Sequence, residues 1–319
     1  MPDNTPFFII GAGRSGTTLL RLILAGHSRL DIPPETWFIQ SLVRELPLTG
    51  KLTPEQVDRA VTIMTDHYRW PDMEIAADDL RRWVMDLPGP RLVDIINLVF
   101  CRHLASTGKS RFGDKTPVYI EIVPQLATLY PGAKFIHVIR DGRDVAISRI
   151  DVDWERYYER DRFAWTLAMA KHWECKASPY AGQMLEVRYE DLVSNPEVTV
   201  RQICAFLDEE FEPAMLDWHS LIELVPVRER HIHAKLGQQM SNDDIAVWRH
   251  RLSALECFAI EACLYQDLER LGYRLRFHGV MWRPLLSATG SALRTMGPVL
   301  RRCIPYLQRR NLLPSQLYI

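Results

Sequence analysis

The N-terminal segment contains a glycine-rich stretch, Gly11-Ala-Gly-Arg-Ser-Gly-Thr-Thr-Leu-Leu20, with the spacing of a phosphate-binding loop. In the nucleoside-triphosphate form of this motif, a lysine follows the last glycine and reaches the β- and γ-phosphates. Here Thr17 occupies that position, and a cation, Arg14, lies inside the loop. The glycines allow close backbone approach, and the amides that open the following helix face an anion. The loop therefore predicts a site for a terminal group less charged than a magnesium-bound γ-phosphate, and its alternative is a strand–helix turn without a ligand.

A second candidate site follows an apolar run over residues 134–139. Arg140 comes directly after that run, at the carboxyl end of a predicted strand, which is where ligands bind in open α/β sheets. Ser148 lies one turn into the helix predicted to follow. An arginine, a hydroxyl and nearby amides would form a separate phosphate site. The alternative is a structural ion pair between Arg140 and Asp141.

Two further residues could take part in chemistry. Glu35 stands in Pro33-Pro-Glu-Thr-Trp37, and Lys115 stands in Phe112-Gly-Asp-Lys-Thr-Pro117. By itself, Glu35 is typical of an acidic residue in the first turn of a helix, which the helix dipole favours. Lys115 alone is typical of a solvated lysine in a turn.

The elements that must position these residues alternate between strands and helices. Residues 7–10 predict a buried strand before the glycine loop, and residues 17–25 predict the helix after it. The run over 134–139 and its helix repeat this order, as do a strand over 184–188 and a helix over 198–207. This alternation predicts an α/β fold: a P-loop-like parallel β-sheet flanked by helices on both faces.

Helix-capping signals add detail to this prediction. Residues 40–110 are predicted to be mainly helical, with Thr53 as a cap before Pro54. Asp144 is expected to cap the helix after the second strand, and Arg143 is expected to lie on the surface.

Composition excludes several classes of protein. The 319 residues are 47% apolar and 25% charged with a net charge of −1, which is ordinary for a soluble globular protein and gives no reason to expect nucleic acid as a partner. The six cysteines show no metal-ligand spacing, and His231 and His233 have no third ligand, so no metal site is predicted. The expected protein is cytoplasmic with reduced thiols, without a signal peptide or a membrane span.

The charge is unevenly distributed. Residues 277–319 contain six arginines and no Asp, Glu or Lys, so residues 1–276 carry a net charge of −7. A basic, apolar C-terminal tail suits peripheral contact with an anionic membrane surface. Its alternative is a helix docked on the acidic body of the protein.

Taken in order, these motifs resemble those of the PAPS-dependent sulfotransferases, especially the branch of the tyrosylprotein sulfotransferases and their bacterial relatives. The similar motifs are Gly-Arg-Ser-Gly-Thr-Thr, Pro-Glu-Thr, Asp-Lys-Thr-Pro, Val-Ile-Arg-Asp-Gly-Arg-Asp and Val-Arg-Tyr-Glu-Asp-Leu-Val, and the resemblance extends from Phe7 to Leu275. It implies a P-loop-like fold that binds 3′-phosphoadenosine-5′-phosphosulfate (PAPS) as co-substrate, without a metal. A sulfuryl group would move to an acceptor hydroxyl or amine.

The resemblance also implies roles for individual residues. Lys115 and Arg14 would stabilise charge on the transferring sulfuryl group, and Glu35 would be the general base. The cofactor-binding residues would be Gly13, Arg14, Ser15, Gly16, Thr17 and Thr18 for the 5′-phosphosulfate, Arg140 and Ser148 for the 3′-phosphate, and Tyr189 near the nucleotide.

The chain departs from the cytosolic small-molecule branch in two ways. Leu19 replaces a tryptophan that stacks on adenine, and residues 108–117 lack that branch's catalytic histidine, which moves the base role to Glu35. The loop over the 3′-phosphate is expected near residues 228–249. Its basic candidates are Arg230, His231, Lys235 and Arg249.

The sequence thus predicts a sulfotransferase domain over residues 1–276, with a helical acceptor-side region over 36–110 and a tail over 277–319. The acceptor is a hydroxyl-bearing substrate: a peptide tyrosine, a glycolipid, a sugar or a metabolite. One alternative is a P-loop small-molecule kinase with Asp141 as its metal-binding acid. Another is a catalytically inactive nucleotide-binding protein.

Overall fold

A five-stranded parallel sheet organises the fold. The strands are β1 (Phe7–Gly11), β2 (Leu30–Asp31), β3 (Arg111–Lys115), β4 (Lys134–Ile139) and β5 (Met184–Arg188), in the spatial order β2-β3-β1-β4-β5. All of the pairings are parallel. The chain order reverses at β1, and ligands bind at the carboxyl edge of such a sheet, near the reversal.

The computed structural model describes residues 5–152, 164–237 and 241–277. It contains α1 (Thr17–Ala25), α2 (Phe38–Glu45), α3 (Pro54–Thr65), α4 (Ala77–Met85), α5 (Leu92–Thr107), α6 (Val123–Leu129), α7 (Gly142–Asp151), α8 (Ala164–Lys176), α9 (Tyr189–Ser194), α10 (Pro196–Leu207), α11 (Trp248–Arg251) and α12 (Ala254–Arg270). The predicted α/β fold, a parallel sheet flanked by helices, is confirmed. Among the residues described, no helix combines the length and the apolar character that a bilayer span requires.

These residues fall into two units. The first is formed by the chain up to Ala12, Gly16–Ile139 and Lys171–Met240, and it holds the whole sheet. The second is formed by Gly13–Ser15, Arg140–Ala170 and the chain from Ser241 onward. The predicted single domain over 1–276 stays a prediction. Residues 278–319 lie outside the described residues, and the membrane contact predicted for the tail is therefore also still a prediction.

In the first unit, several elements have the burial and the caps that the local sequence predicts. All residues of β1 and α1 are buried, because β1 lies between β3 and β4 in the sheet and α1 packs against it. Thr53 caps α3 through a reciprocal capping box with Gln56, as predicted. Strand β3 was not predicted, because its sequence, Arg-Phe-Gly-Asp-Lys, is mostly polar although every residue in it is buried.

The second unit corrects two predictions about α7. Asp141, not Asp144, is its N-cap and accepts a hydrogen bond from the Arg143 amide. Asp144 instead accepts a hydrogen bond from the Trp248 amide at 2.8 Å. Arg143 was expected on the surface, yet it is buried because Asp141 and Glu261 neutralise its guanidinium.

Candidate active site

In the first unit, the Pro-Glu-Thr motif (residues 34–36) and the Asp-Lys-Thr-Pro motif (residues 114–117) contact each other at the carboxyl edge of the sheet. The Thr36 hydroxyl donates to Asp114 Oδ2 at 2.6 Å, and the Thr36 amide donates to Thr116 Oγ1 at 3.2 Å. Glu35, the residue before Thr36, forms an ion pair with Lys115, the residue between Asp114 and Thr116. The Pro-Glu-Thr and Asp-Lys-Thr-Pro motifs are therefore one structural element, in which Thr36 fixes the backbone that presents Glu35.

The two carboxylate oxygens of Glu35 have different partners. Lys115 Nζ donates to Oε1, whereas Trp37 Nε1 donates to Oε2 at 2.5 Å and Arg69 Nη2 lies 3.4 Å from Oε2. Burial raises the pKa of Glu35, but Lys115, Arg69 and these hydrogen bonds outweigh burial and lower the pKa to about 2. In this arrangement Glu35 is ionised but only weakly basic.

Lys115 connects Glu35 to the start of α1. Its side chain is only 2% exposed, so the solvated turn expected from the sequence is wrong: Lys115 ends strand β3. Nζ also donates to Thr18 Oγ1 at 3.2 Å. A buried ammonium thus lies between a carboxylate and the first turn of a helix, where backbone amides favour an anion.

Gly16 opens α1 in a conformation that requires glycine. Its φ is +95°, and a Cβ added there would lie 2.4 Å from Cδ2 of Tyr189. The Tyr189 ring therefore packs directly on the glycine loop, next to the buried Thr17 and Thr18. The structure brings Gly16, Thr17, Thr18, Tyr189, Lys115 and Glu35 together within the first unit.

The remaining predicted residues lie together in the second unit. Arg14, in a left-handed conformation with φ +71°, donates from Nε to Ser148 Oγ at 3.3 Å. Arg140 donates to the Arg14 carbonyl at 3.3 Å and to the Asp244 carbonyl at 3.1 Å. Ser15 is 1% exposed, and its Oγ has no hydrogen-bond partner among the residues described. A buried hydroxyl without a partner requires an explanation, and a bound anion is one.

Asp114 supports the pairing of the two motifs. Burial raises its pKa to about 6, against the hydrogen bonds that it accepts from Thr36 and Thr116. The Tyr119 hydroxyl is buried, lies 2.7 Å from Thr36 Oγ1 and accepts a hydrogen bond from the Ile39 amide at 3.2 Å. Burial also raises the Tyr119 pKa well above its usual range. Asp114 and Tyr119 therefore fix the position of the Thr36 hydroxyl.

Two residues at this site were missed by sequence reasoning. Arg69 is 2% exposed and forms ion pairs with both Glu35 and Glu229. His233 Nε2 lies 3.5 Å from Thr18 Oγ1, at a break in the 3-10 segment Val227–Gly237. Neither residue belongs to a recognised motif, so only a signal from long-range contacts could have identified them.

The other proton acceptors near the loop in sequence have partners elsewhere. His27 is buried and its Nε2–H donates to the Glu210 carbonyl at 3.0 Å. Asp31 accepts a hydrogen bond from Thr107 at 3.2 Å and pairs with His103 at 3.3 Å. Both have structural roles. Within the described ranges, no group of three or more His, Cys, Asp or Glu side chains could hold a metal ion.

Fold and motif arrangement together define a P-loop-like α/β protein whose glycine loop lacks the triphosphate lysine. The sequence matches the model of the sulfotransferase family over residues 6–213, and the chain belongs to that family.

Individual relatives are similar at moderate identity. Protein-tyrosine sulfotransferase 1 of Danio rerio is 26% identical over 231 residues, which cover 69% of this chain and 58% of that protein. An uncharacterised Aquifex aeolicus protein is 24% identical over 231 residues, which cover 68% of this chain but only 27% of that protein. The sulfotransferase domain of the Synechococcus PCC 7002 olefin synthase has a similar structure, with a TM-score of 0.56 and 25% identity over 79% of this chain and 91% of that domain.

Proposed function

We propose that this chain transfers a sulfuryl group from PAPS to the hydroxyl of an acceptor. The observation that carries the proposal is the buried pair of Lys115 and Glu35 beside Thr18 at the start of α1, in a member of the sulfotransferase family. The donor supplies an activated sulfur. The acceptor oxygen bonds to that sulfur, the bond from sulfur to the 5′-phosphate oxygen breaks, and the acceptor proton passes to a base.

Residues of the glycine loop are proposed to bind the phosphosulfate. Amides at the N-terminus of α1 and the hydroxyls of Thr17 and Thr18 are suited to oxyanions, and Arg14 adds a charge-assisted donor. The buried Ser15 hydroxyl, without a partner among the described residues, fits a ligand oxygen. The proposed contacts to the 3′-phosphate are Arg140 and Ser148, and Gly13 would allow close backbone approach. The site needs no metal in this proposal.

The proposed base is Glu35, and the geometry distinguishes its two oxygens. Trp37 and Arg69 hold Oε2, so Oε1 is the atom that would accept the proton. Oε1 becomes available when Lys115 turns its ammonium from Glu35 toward the developing charge on the sulfuryl oxygens. The same movement raises the Glu35 pKa, so the base gains strength when the donor is in place.

The two alternative functions have less support than sulfuryl transfer. A small-molecule kinase would use Asp141 for its metal, but Asp141 caps α7 and pairs with Arg143 at 2.7 Å. Thr17 also occupies the position of the kinase lysine, and the family is that of sulfotransferases. An inactive nucleotide-binding protein would bind adenosine 3′,5′-bisphosphate without turnover.

The acceptor class is proposed from chemistry and similarity. The Danio rerio relative is named a protein-tyrosine sulfotransferase, so a phenolic hydroxyl is the first acceptor to test. Sugars, glycolipids and hydroxylated metabolites follow. We propose that the reaction takes place in the cytoplasm.

The decisive experiment incubates the purified protein with ³⁵S-labelled PAPS and a panel of tyrosine peptides, sugars, glycolipids and phenols. The expected result is a labelled acceptor that does not form with Lys115→Met. Tight binding of adenosine 3′,5′-bisphosphate without transfer to any acceptor, including those in a host-cell lysate, would support the inactive protein. Magnesium-dependent transfer from ³²P-labelled ATP would support the kinase.

A further inference from the structure

The second unit contains a cavity that the proposed reaction does not use. Its volume is about 330 Å³, and it is lined by Trp248, Arg249, Arg274, Leu275 and Arg276. Trp248 and Leu275 are buried, whereas the three arginines are exposed. None of these lining residues is acidic, so the cavity presents three positive charges around an apolar floor.

A buried ion pair holds the wall of this cavity. Arg143 and Glu261 are almost completely inaccessible and pair with each other. Arg143 donates to the Arg274 carbonyl at 3.1 Å, and Glu261 accepts a hydrogen bond from the Arg276 amide at 2.8 Å. The segment that follows α12 is therefore fixed through its backbone, with buried Leu275 between the two exposed arginines.

The three arginines lack anionic partners in the described part of the chain. Arg249, Arg274 and Arg276 form no ion pair there, whereas Arg251, two positions from Arg249, pairs with Asp151 at 2.8 Å. Like charges that converge without counter-charges repel one another, and a bound anion removes this repulsion. The three arginines therefore repel one another in the protein without a ligand, and this repulsion favours the binding of an anion.

We propose that this cavity binds an ester that carries more than one negative charge, such as a phosphate monoester or a sugar with two sulfate groups. Arginine forks match the oxygens of both groups in bidentate geometry. The Trp248 ring already has the Arg143 guanidinium 3.6 Å and the Arg249 guanidinium 5.6 Å from its centroid, so charge, not ring stacking, selects the ligand. The volume lies at the lower end of small-molecule sites and suits a charged ester on a small sugar.

This site is distinct from the residues proposed to bind the donor. Sequence reasoning placed Arg249 among the candidates for a loop over the donor 3′-phosphate, but the cavity groups it with Arg274 and Arg276. Arg140 and Ser148, the residues proposed for that phosphate, are not among the lining residues. Binding here does not depend on whether the chain transfers a sulfuryl group.

The test is calorimetric titration of the full-length protein with inorganic pyrophosphate. The double variant Arg274→Gln/Arg276→Gln should weaken pyrophosphate binding about tenfold or more, because two charge-assisted contacts are lost. Arg251→Gln, an exposed arginine that already has a partner, is the matched control and should leave the affinity unchanged. Circular dichroism confirms that each variant is folded.

A second pair of measurements separates this cavity from the donor site. Arg140→Ala should retain the pyrophosphate affinity of the wild type. The proposal is overturned if Arg140→Ala loses as much affinity as the double variant, if the double variant binds like the wild type, or if the wild type does not bind. Parallel titrations compare glucose 6-phosphate, which carries two negative charges, with glucose 6-sulfate, which carries one. The phosphate should bind more tightly and the double variant should weaken its binding, whereas equal affinity for the two esters would contradict selection by charge.

Discussion

Replacing Lys115 with methionine should convert Glu35 from a weak base into a stronger one. Methionine keeps most of the apolar volume of the lysine stem but removes the ammonium that pairs with Oε1. Burial has the largest effect on the Glu35 pKa and raises it, and without the Lys115 ammonium fewer groups lower that pKa. The pKa of Glu35 should therefore rise.

The size of the effect follows from the depression of that pKa. The Glu35 pKa is lowered from 4.5 to about 2, chiefly by Lys115 acting against burial. Without the ammonium we expect the pKa to reach 4.5 or more, a change that corresponds to about 3 kcal/mol. Because the depressed pKa favours the ionised folded state, this stabilisation is present above pH 4.5 and is lost as the pH falls toward 2. Lys115→Met should lose it at neutral pH, and the additional change Glu35→Gln should restore much of the loss by removing the unpaired buried charge.

The assay is a carboxyl-carbon NMR titration of protein labelled with ¹³C-glutamate, with the Glu35 signal assigned by its absence in Glu35→Gln. The wild-type signal should stay in its ionised position to the lowest pH at which the protein is folded, whereas the Lys115→Met signal should titrate near or above 4.5. Lys134→Met is the control, since Lys134 pairs with Asp208 and lowers the pKa of that residue instead. A Glu35 signal in Lys115→Met that remains ionised below pH 3.5 (about one unit under the ordinary value) would refute the role of Lys115 in setting Glu35 basicity.

Three further predictions concern catalysis, donor binding and the loop. Glu35→Gln should lower the single-turnover rate by about 10²–10⁴-fold and leave PAPS affinity nearly unchanged, and a variant that keeps a third of the rate would move the base role elsewhere. Arg140→Ala should weaken PAPS binding about tenfold in calorimetry but scarcely affect adenosine 5′-phosphosulfate, which lacks the 3′-phosphate; equal weakening of both contradicts the assignment. Gly16→Ala should lower the free energy of unfolding by about 1–3 kcal/mol in urea, because φ is positive and the new Cβ meets Tyr189, and unchanged stability would show that the loop tolerates a side chain.

Elements with strong local signals could be predicted from the sequence to within a few residues. The apolar run that forms β4 and the helix α1 after the glycine loop have the expected bounds, because burial on both faces leaves a continuous apolar pattern. The cap predicted for α7, Asp144, was wrong. Asp141 and Asp144 are both suitable caps, and the choice depends on the Trp248 amide, a partner 104 residues away in sequence.

Strand β3 could not be predicted, because its burial depends on partners distant in sequence. Arg111 is neutralised by Glu209 and donates to the Leu207 carbonyl, while Asp114 and Lys115 find Thr36 and Glu35. Nothing in the local sequence shows that a charged residue will find a partner of opposite charge. Burying a charge without a partner costs so much free energy that a buried strand would not be predicted there. The pattern of β3 therefore resembles a surface turn until its partners are known.

The residue types of the candidate site were determined by the sequence alone: the glycine loop with its arginine, and the motifs that contain Glu35 and Lys115. Their pairing was decided by the tertiary structure. Glu35 and Lys115 are 80 residues apart, and they meet because β2 and β3 pair in parallel, with Leu30 opposite Arg111 and Asp31 opposite Phe112. Parallel strands bring their carboxyl ends to one edge of the sheet, so Lys115, which ends β3, and Glu35, which follows β2, share a site. The low pKa of Glu35 exists only once that edge is formed and buried, since it depends on cations that the fold, and not the local sequence, places beside the carboxylate.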